Sequence, residues 1–459
     1  MKSDTPVVKD LVLIGGGHSH VAVLKKFGMK PLAGVRVTLI TRDVQTPYSG
    51  MLPGYIAGHY EFDETHIDLR PLAMFAGARI YHDEAVGIDH VNKKVICRNR
   101  PPVAFDILSV NVGSTPHMET PGAAEHVTPV KPINNFVARW QGLFDRVRDH
   151  EGEIHIGGVG AGAGGVEVLL AIEHRLRGDF AAAGRTSDHI NFHLFTDADD
   201  ILVSHNPSVR RRFNRVLSER GVEVHTGHKV IGVSDGAIEC ENGVNFKLDE
   251  ILWVTPAGAA PWLENDTKLE LDDRGFIAVK ETLETESHPD IFAAGDIASV
   301  ATHPRPKAGV FAVRQGPPLA ENLRRALTGR PLKPFRPQSD FLSLVSTGDK
   351  YAVGSKWGLA LEGEWVWKLK NWIDLRWMGK YQDLPEMEEE AGVEIAAGLA
   401  DAAAMKEISA IAMRCGGCGA KVGTDVLSRA LQQLEPVKRP DILIGLNEPD
   451  DAAVVEVPP

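Results

Sequence analysis

The chain has 459 residues, of which 43% are hydrophobic and 24% are charged, and its formal net charge is −12. The length predicts about three domains, and the composition is that of a globular protein. An acidic chain argues against nucleic acid as a partner, because a phosphate backbone requires a basic surface. The four cysteines are too few for a disulfide scaffold. We expect a cytoplasmic protein with no signal peptide and no membrane span, and peripheral contact at the inner face of a membrane stays open.

A glycine-rich loop follows the first apolar strand. The stretch VLIGGGHSH places Gly15, Gly16 and Gly17 before a predicted helix. Glycines there let backbone amides approach a pyrophosphate at the helix N-terminus. His20 stands where the usual motif has its last glycine, which is expected to loosen the packing of helix on strand. The loop predicts a dinucleotide site, with a glycine turn that binds no nucleotide as the alternative.

The strand predicted at 35–41 ends beside two charged residues, Arg42 and Asp43. A dinucleotide site commonly has an acid at this strand end, where it binds the ribose hydroxyls. Asp43 would take that role one or two positions late, or Arg42 would lie against the adenine. The sequence does not decide between them.

A second loop has the complete G-x-G-x-x-G spacing at Gly160, Gly162 and Gly165. It follows a strand predicted at 153–159 and precedes a helix with an apolar face, which is the context that the motif requires. Two such loops predict two bound dinucleotides, for which a flavin and a nicotinamide are the obvious pair. Glu167 either faces the place where the two rings meet or is a solvated acid stabilised by the helix dipole.

The segment HPDIFAAGDIAS joins an apolar strand to Gly295 and Asp296, and a helix is predicted directly after them. This arrangement allows the Asp296 carboxylate to accept a hydrogen bond from a ribityl hydroxyl. Backbone amides of the same segment would face a flavin phosphate.

Together, the two loops and this segment resemble the flavoprotein family with two dinucleotide-binding folds. That family includes type II NADH dehydrogenases and pyridine nucleotide–disulfide oxidoreductases. The resemblance spans roughly residues 8–380 and implies FAD and NAD(P)H as cofactors. It places FAD on Gly15, Gly17 and Asp296 and NAD(P)H on the second loop. In the helix region after Asp296, Lys307 and Gln315 are polar candidates near the flavin ring, or surface residues.

Two cysteines, Cys97 and Cys240, lie upstream of residue 400, far apart in predicted outer strands. Family members that reduce disulfides or oxidise sulfide need a cysteine pair beside the flavin. We therefore expect two inert thiols and direct electron transfer from the flavin to a diffusible small-molecule acceptor.

The predicted fold class is α/β, with two Rossmann-like domains of the pyridine nucleotide–disulfide oxidoreductase type and a small C-terminal α+β domain, followed by the start of a kinase domain. The predicted boundaries are residues 1–125 with 265–335 for the FAD domain, 126–264 for the NAD(P) domain, 336–384 for the C-terminal domain, 385–410 for a linker and 411–459 for the kinase fragment.

The segment EWVWKLKNWIDLRWMGKYQDL carries Trp365, Trp367, Trp372 and Trp377 among basic residues. It predicts either an amphipathic helix at a membrane surface or tryptophans that pack the C-terminal domain or a homodimer interface.

The stretch MRCGGCGAKVG is chemically unlike the rest of the chain. Cys415 and Cys418 have the spacing of half a zinc site or of a dithiol pair, although neither context is completed downstream. The stretch and the later LIGLNEPDDAAVVEV resemble the N-terminal region of selenide, water dikinase (selenophosphate synthetase). The resemblance implies catalytic roles for Cys418 and Lys421, and Mg²⁺ with ATP at Asp450 and Asp451.

Most of such a kinase lies beyond the residues that carry the resemblance, so this chain is not expected to phosphorylate a substrate. The fusion suggests that the flavoprotein part reduces a selenium species for the kinase, with a quinone as the rival acceptor. The alternative is a non-catalytic flavin-binding module that acts as a redox sensor or as a scaffold for the selenium-handling part.

Overall fold

The computed structural model describes residues 6–150, 152–385, 442–444 and 454–455. The first part of the chain contains β1 (Lys9–Ile14), α1 (His18–Met29), β2 (Val35–Thr41), β3 (Gln45–Pro47), α2 (Leu52–Ile56), α3 (Phe62–Thr65), β4 (His66–Asp68), α4 (Leu69–Phe75), β5 (Arg79–His82), β6 (Ala85–Asp89), β7 (Lys94–Cys97), β8 (Val103–Ala104), β9 (Ile107–Val110) and β10 (Thr115–Pro116). The middle part contains α5 (Ala123–His126), β11 (Thr128–Pro129), α6 (Ile133–Asp149), β12 (Ile154–Val159), α7 (Ala163–Ala182), β13 (Ile190–Phe195), α8 (Pro207–Glu219), β14 (Val222–His225), β15 (Val230–Ser234), β16 (Ala237–Cys240), β17 (Asn245–Lys247), β18 (Glu250–Trp253) and β19 (Ala257–Gly258). The last part contains α9 (Trp262–Asp266), β20 (Ile277–Val279), β21 (Ile291–Ala293), a 3₁₀ turn (Gly295–Ile297), β22 (Ala298–Val300), α10 (Gly309–Leu327), β23 (Ser343–Ser346), β24 (Ala352–Lys356), β25 (Leu359–Gly363), α11 (Glu364–Gln382), β26 (Ile442–Ile444) and β27 (Val454–Val455).

The first sheet is parallel and has the order β21-β9-β1-β2-β5. The central strand β1 is buried from Leu11 to Ile14, as expected for a parallel strand with both faces covered. Helices α1 and α10 pack closely, and the Ser19 hydroxyl donates a hydrogen bond of 2.7 Å to the Ala312 carbonyl. Because β21 lies far along the chain from β1, two separate stretches of sequence build this unit.

A second parallel sheet has the order β11-β18-β12-β13-β14. On one side its core includes Phe136, Leu169 and Phe192, and on the other Trp253 packs in a separate cluster. The small antiparallel sheet β15-β16-β17 covers part of that other side. In each sheet, a glycine turn follows the carboxyl end of the central strand. This edge of the sheet is where α/β folds bind ligands.

The C-terminal segment packs against both units. Its antiparallel sheet β23-β24-β25 contributes Val345 and Val353 to the core of the second unit. Trp377 and Met378 of α11 belong to the core of the first unit. The segment therefore spans the side on which the two glycine turns lie, and it can supply side chains to a site between them.

The structure confirms the predicted α/β fold class with two Rossmann-like units. The prediction of a helix directly after Asp296 is wrong. A 3₁₀ turn and β22 intervene, and α10 begins only at Gly309. In the part of the chain that the structure describes, no helix combines the length and apolar character needed to cross a membrane. Apart from β26 and β27, the predicted kinase fragment lies outside the described residues.

Candidate functional site

The first glycine turn is shaped by Asn111, the residue that follows β9. Gly15 has a φ of +88°, and a Cβ there would lie 2.5 Å from the Asn111 carbonyl oxygen. A Cβ at Gly17 would overlap the Asn111 side-chain oxygen, and one at Gly16 would meet Leu69. The sequence therefore needs glycine here for its own backbone path as well as for the approach of a ligand.

Asn111 also connects the turn to the Gly-Asp segment. Its Oδ1 accepts hydrogen bonds from the backbone amides of Ser19 (3.1 Å) and His20 (3.2 Å), and its Nδ2 donates to the Ala294 carbonyl (2.6 Å). The side chain is buried, so these bonds are shielded from water. Sequence reasoning missed Asn111, although a polar residue directly after a buried parallel strand marks the ligand-binding edge of a sheet.

His20 does not loosen the helix, contrary to the expectation from the motif. The ring is fully buried, with Nδ1 2.6 Å from the Gly15 carbonyl and Nε2 2.8 Å from the Ser109 hydroxyl. A carbonyl only accepts, so Nδ1 carries the proton and Nε2 accepts from Ser109. Burial lowers the pKa of His20 to about 4, against an opposing hydrogen bond to Gly15. A neutral imidazole thus replaces the close contact that glycine usually provides.

Asp296 forms a polar group with two residues that the sequence did not indicate. Lys131 donates to its Oδ2 at 2.9 Å, and the Ser114 hydroxyl donates to the same oxygen at 3.0 Å. Burial acts to raise the pKa of Asp296, but Lys131 and these hydrogen bonds bring it below its ordinary value. The carboxylate is therefore ionised, and it is positioned beside Gly295, whose φ is +77°. The Gly295 amide donates to Gln315 Oε1 at 2.6 Å.

Lys307 makes contacts within the protein. Its Nζ donates to the Ala298 carbonyl at 2.7 Å and lies 3.9 Å from the centroid of the Phe276 ring. Burial lowers its pKa to about 8, although Asp272 and Asp296 act in the opposite direction. The side chain lies on the Asp296 side of the first unit.

Arg42 and Asp43 pair with each other at the end of β2. Arg42 Nη2 lies 3.1 Å from Asp43 Oδ2, and both side chains are exposed. The Thr41 hydroxyl donates to the Asp43 carbonyl at 2.8 Å, which turns the chain at the strand end. The pair lies at the strand end expected for a ribose-binding acid, and a nucleotide could contact either member.

Aromatic side chains enclose the start of α1. The His18 ring lies 5.5 Å from Tyr48 and 5.3 Å from Trp377, and Tyr48 stacks on Trp377 at 4.3 Å between centroids. Burial lowers the pKa of His18 to about 4, even though the nearby Asp296 charge acts to raise it. Among the described residues, the buried His18 Nε2 has no hydrogen-bond partner. A polar ligand group at this helix N-terminus would satisfy it, which fits the FAD site implied by the sequence.

The glycines of the second turn differ in how much space surrounds them. Gly160 has a φ of +111°, and a Cβ at Gly165 would overlap the Gly160 carbonyl oxygen. Gly162 is different: apart from its two chain neighbours and the nearby backbone of its own helix, no atom of the described residues lies within 4 Å of a Cβ built there. Gly162 is the N-cap of α7, and its carbonyl accepts from Val166 N–H at 3.0 Å. Amides before Val166 have no partner inside the helix, so this end is suited to bind a pyrophosphate.

Glu167, the fifth residue of α7, meets the C-terminal segment. The Ser346 amide donates to its Oε1 at 2.7 Å. Burial raises the pKa of Glu167 to about 7, while the Lys370 charge and the Ser346 bond act to lower it. The carboxyl group can therefore hold or release a proton near neutral pH. Of the two alternatives stated for Glu167, the solvated surface acid is wrong.

A buried ion pair on α11 lies close to this carboxyl group. Lys370 Nζ lies 2.7 Å from Asp374 Oδ2 and donates to the Gly50 carbonyl at 2.5 Å. Burial raises the pKa of Asp374, and hydrogen bonds with Lys370 and Tyr48 oppose that rise. Burial and the Asp374 charge also raise the pKa of Tyr48. Sequence reasoning missed this pair because only the fold brings α11 against the loop at 45–50.

The two described cysteines lie away from these groups. Cys97 is part of the core of the first unit, and Cys240 belongs to the cluster under β15–β17. Both are free and buried, and burial raises both pKa values. The predicted kinase residues, Cys418, Lys421, Asp450 and Asp451, lie outside the described residues.

Similarity to known proteins agrees with this geometry. The family model described as pyridine nucleotide-disulphide oxidoreductase matches residues 9–316. The NADH dehydrogenase-like protein YutJ of Bacillus subtilis is 25% identical over 384 residues, covering 82% of this chain and 100% of that protein. The type II NADH:quinone oxidoreductase of Staphylococcus epidermidis is 22% identical over 382 residues, covering 80% of this chain and 94% of its own.

Solved structures show the same fold. The sulfide:quinone oxidoreductase of Aquifex aeolicus matches with a TM-score of 0.68 and 16% identity, covering 82% of this chain and 92% of that chain. NDH2 of Plasmodium falciparum, solved with NADH, matches with a TM-score of 0.67 and 13% identity, covering 83% of this chain and 100% of that chain. With two parallel sheets, two glycine turns and a family match over two thirds of its length, the chain belongs to the pyridine nucleotide-disulphide oxidoreductase family.

Proposed function

We propose that this protein is an FAD-dependent NAD(P)H oxidoreductase in which electrons pass from the nicotinamide through the flavin to a diffusible acceptor. One observation carries the proposal: side chains beside both glycine turns take part in one interior cluster. Glu167 of the second turn's helix, Lys370 and Asp374 of α11, and Tyr48 of the first unit interact there. The names of the relatives, which include NADH dehydrogenase-like and NADH:quinone oxidoreductases, support the same activity.

The first unit offers a consistent set of groups for FAD. The N-terminus of α1 at Gly15, Gly16 and Gly17 would bind the pyrophosphate. Asp296, ionised and held by Lys131, would accept a hydrogen bond from the ribityl chain. Arg42 and Asp43 would contact the adenosine end of FAD. The region of Gly295 and Lys307 would line the other side of the FAD site. For the FAD domain and the other domains we propose the boundaries that the sequence predicts.

The second unit would bind NAD(P)H at Gly160, Gly162 and Gly165. When bound, the flavin supplies the hydride and electron chemistry. The chain's own contribution is to exclude water and to hold protons. We assign to Glu167, whose pKa is about 7, the role of giving a proton to the reduced acceptor. Lys370 would favour the Glu167 anion formed by this transfer.

We favour a quinone as the acceptor. Quinone reduction needs no cysteine, and both described cysteines are buried in cores away from Glu167. A hydrophobic acceptor also fits the apolar side chains exposed at the surface on α11 and on the β24–β25 hairpin before it, namely Trp357, Leu359, Trp365 and Trp372, each more than half exposed. We propose that this surface contacts a membrane peripherally. Trp377, by contrast, is buried against Tyr48, as the packing alternative predicted.

The acceptor is tested by steady-state oxidation of NADH and NADPH by the full chain, with a short-chain quinone or an oxidised selenium compound supplied separately. We expect the quinone to be reduced at least about tenfold more efficiently in kcat/KM. Selective reduction of the selenium compound would overturn the quinone assignment. If the reduced flavin is not reoxidised by any acceptor, the protein is a redox sensor or scaffold instead.

A second activity is suggested by residues 411–459. We propose that this stretch is the N-terminal part of a selenide, water dikinase, with Cys418 and Lys421 acting on selenium and Asp450 and Asp451 holding Mg²⁺ on ATP. The support is the motif CGGCGAK with the later DDAAV. Reduction of a selenium compound that is lost in Cys418→Ser, with quinone reduction kept, would support the link. Equal rates of selenium-compound reduction by the wild type and by Cys418→Ser would contradict the link.

A further inference from the structure

Three ligand-forming side chains meet on the sheet of the second unit, on the neighbouring strands β13 and β14. In the parallel register, His193 of β13 pairs with Glu223 of β14, and Phe195 pairs with His225. Residues in register, and those two apart on one strand, project to the same side of a sheet. His193, Glu223 and His225 therefore share one side, on which Phe246 of β17 packs against Phe195 and His225.

The three donor atoms form a small triangle. His193 Nδ1 lies 3.2 Å from His225 Nε2 and 3.4 Å from Glu223 Oε2. The third side, from His225 Nε2 to Glu223 Oε2, is 3.8 Å. Tetrahedral Zn²⁺ with bonds of about 2.0–2.1 Å requires ligand atoms about 3.3 Å apart. The three atoms thus lie close to the spacing that one zinc ion needs.

The second ring nitrogen of His193 has a suitable partner. Its Nε2 lies 3.0 Å from His155 Nδ1 on the neighbouring strand β12. An imidazole that binds a metal through one nitrogen keeps its proton on the other, and here the His155 nitrogen can accept a hydrogen bond from that N–H. The Glu223 side chain is 66% exposed, which leaves room for a water ligand and access from solvent.

We propose that His193, Glu223 and His225 form a binding site for a divalent transition-metal ion, with Zn²⁺ as the best match and water as the fourth ligand. The two imidazole donors suit zinc, copper and nickel better than magnesium or calcium. The Thr196 amide donates to the His225 carbonyl at 3.0 Å, so the site adjoins the end of β13. A bound ion would cross-link β13 and β14 beside the expected nicotinamide site.

The test uses the full chain, stripped of metal with a chelator and titrated with Co²⁺ and Zn²⁺. We expect one ion per chain and a Co²⁺ spectrum typical of four ligands without sulfur. Glu223→Gln, which changes an exposed side chain, should weaken binding at least about tenfold, since it removes a charged ligand. The double variant H193A/H225A should abolish binding. At the same concentration, Zn²⁺ should raise the unfolding temperature of the wild type more than that of E223Q, and it should not raise that of H193A/H225A.

Two controls separate this site from others. H90A/H288A removes another close histidine pair, whose ring centroids lie 4.4 Å apart, and should leave metal binding unchanged. C415S/C418S removes the C-x-x-C pair, whose spacing could also serve a zinc ion. The proposal is overturned if the wild type binds no stoichiometric metal, or if E223Q and a folded H193A/H225A bind as tightly as the wild type. It is also overturned if C415S/C418S alone abolishes binding.

Discussion

The backbone amide of Ser346 donates a hydrogen bond of 2.7 Å to Oε1 of Glu167. Through this bond β23 fixes a carboxyl group near the N-terminus of α7. The C-terminal segment thereby orients a side chain of the nucleotide-binding unit and also brings Lys370 and Asp374 close to it. The proposed proton donor is therefore positioned by a part of the chain that the glycine motif does not include.

Glu167→Gln should impair acceptor reduction more than flavin reduction. In the wild type the carboxyl group, with a pKa of about 7, is protonated below that pH, so turnover limited by proton transfer should fall as the pH rises through 7. The variant should lower kcat about 10²-fold at pH 6.5 and remove the inflection near pH 7. The measurement is kcat against pH with a soluble quinone.

The matched control for this variant is Glu264→Gln, which removes an exposed carboxylate. It should keep the wild-type pH profile. A wild-type-like inflection in E167Q would show that another group titrates, and an equal loss in the rate of flavin reduction would place Glu167 in nicotinamide binding instead.

Gly162→Ala should weaken nucleotide binding and leave folding unchanged, whereas Gly165→Ala should destabilise the fold. A Cβ at Gly162 enters open space, whereas one at Gly165 would overlap the Gly160 carbonyl. G162A should therefore fold normally and raise KM for NAD(P)H about tenfold or more, because the methyl group occupies space near the pyrophosphate. G165A should lower the unfolding temperature. Unchanged KM in G162A would indicate that the nucleotide does not approach this turn.

His20→Gly restores the usual motif and should nevertheless destabilise the protein. It removes a buried ring and two hydrogen bonds, at a cost of about 2–4 kcal/mol in the free energy of unfolding. Because the folded-state pKa of about 4 lies below the ordinary 6.5, His20 stabilises the fold above pH 6.5. That advantage declines as the pH falls from 6.5 to 4.

Denaturant unfolding of wild type and H20G at pH 7.5 and pH 4.5 measures this difference. The gap in stability between the two proteins should narrow at the lower pH. If H20G is as stable as the wild type at pH 7.5, the two hydrogen bonds of the ring contribute nothing to the fold.

Trp365→Gln/Trp372→Gln should release the protein from lipid vesicles. The two residues are seven positions apart on α11 and therefore lie on the same side of the helix, and both are more than half exposed. Binding to anionic vesicles, measured by co-sedimentation, should weaken at least about tenfold. Met74→Gln alters another exposed apolar side chain, on α4, and should have no effect. A change from dimer to monomer in the tryptophan variant, with vesicle binding kept, would assign the surface to self-association.

Local patterns in the sequence predicted the elements that carry a motif. The turns at Gly15–Gly17 and at Gly160–Gly165, the strands before them and the acid at Asp296 could all be located, because each signal spans fewer than about ten residues. The family resemblance then extended the prediction from these local elements to the whole α/β architecture. His20 was misjudged because its hydrogen bond to Ser109 joins residues 89 positions apart.

The remaining site residues depend on long-range packing. Asn111 and Lys131 are isolated polar residues in the sequence that acquire partners only through long-range contacts. Lys370 has a local partner in Asp374, but its contact with Gly50 forms only when α11 packs against the first unit. The same holds for the histidines on β13 and β14, whose spacing along the chain resembles no metal motif. Parallel pairing of the two strands is what brings them together.

Anaerobic mixing of the purified protein with NADH, and separately with NADPH, tests the central claim most directly. The flavin absorbance is followed in the wild type and in Asp296→Asn, which should retain less FAD because the ribityl hydrogen bond loses a charged acceptor. Rapid bleaching of the wild-type flavin by at least one nicotinamide is the result that a working oxidoreductase predicts. Stably bound FAD that neither nicotinamide reduces would contradict it, and wild-type protein unable to bind FAD would overturn the cofactor assignment itself.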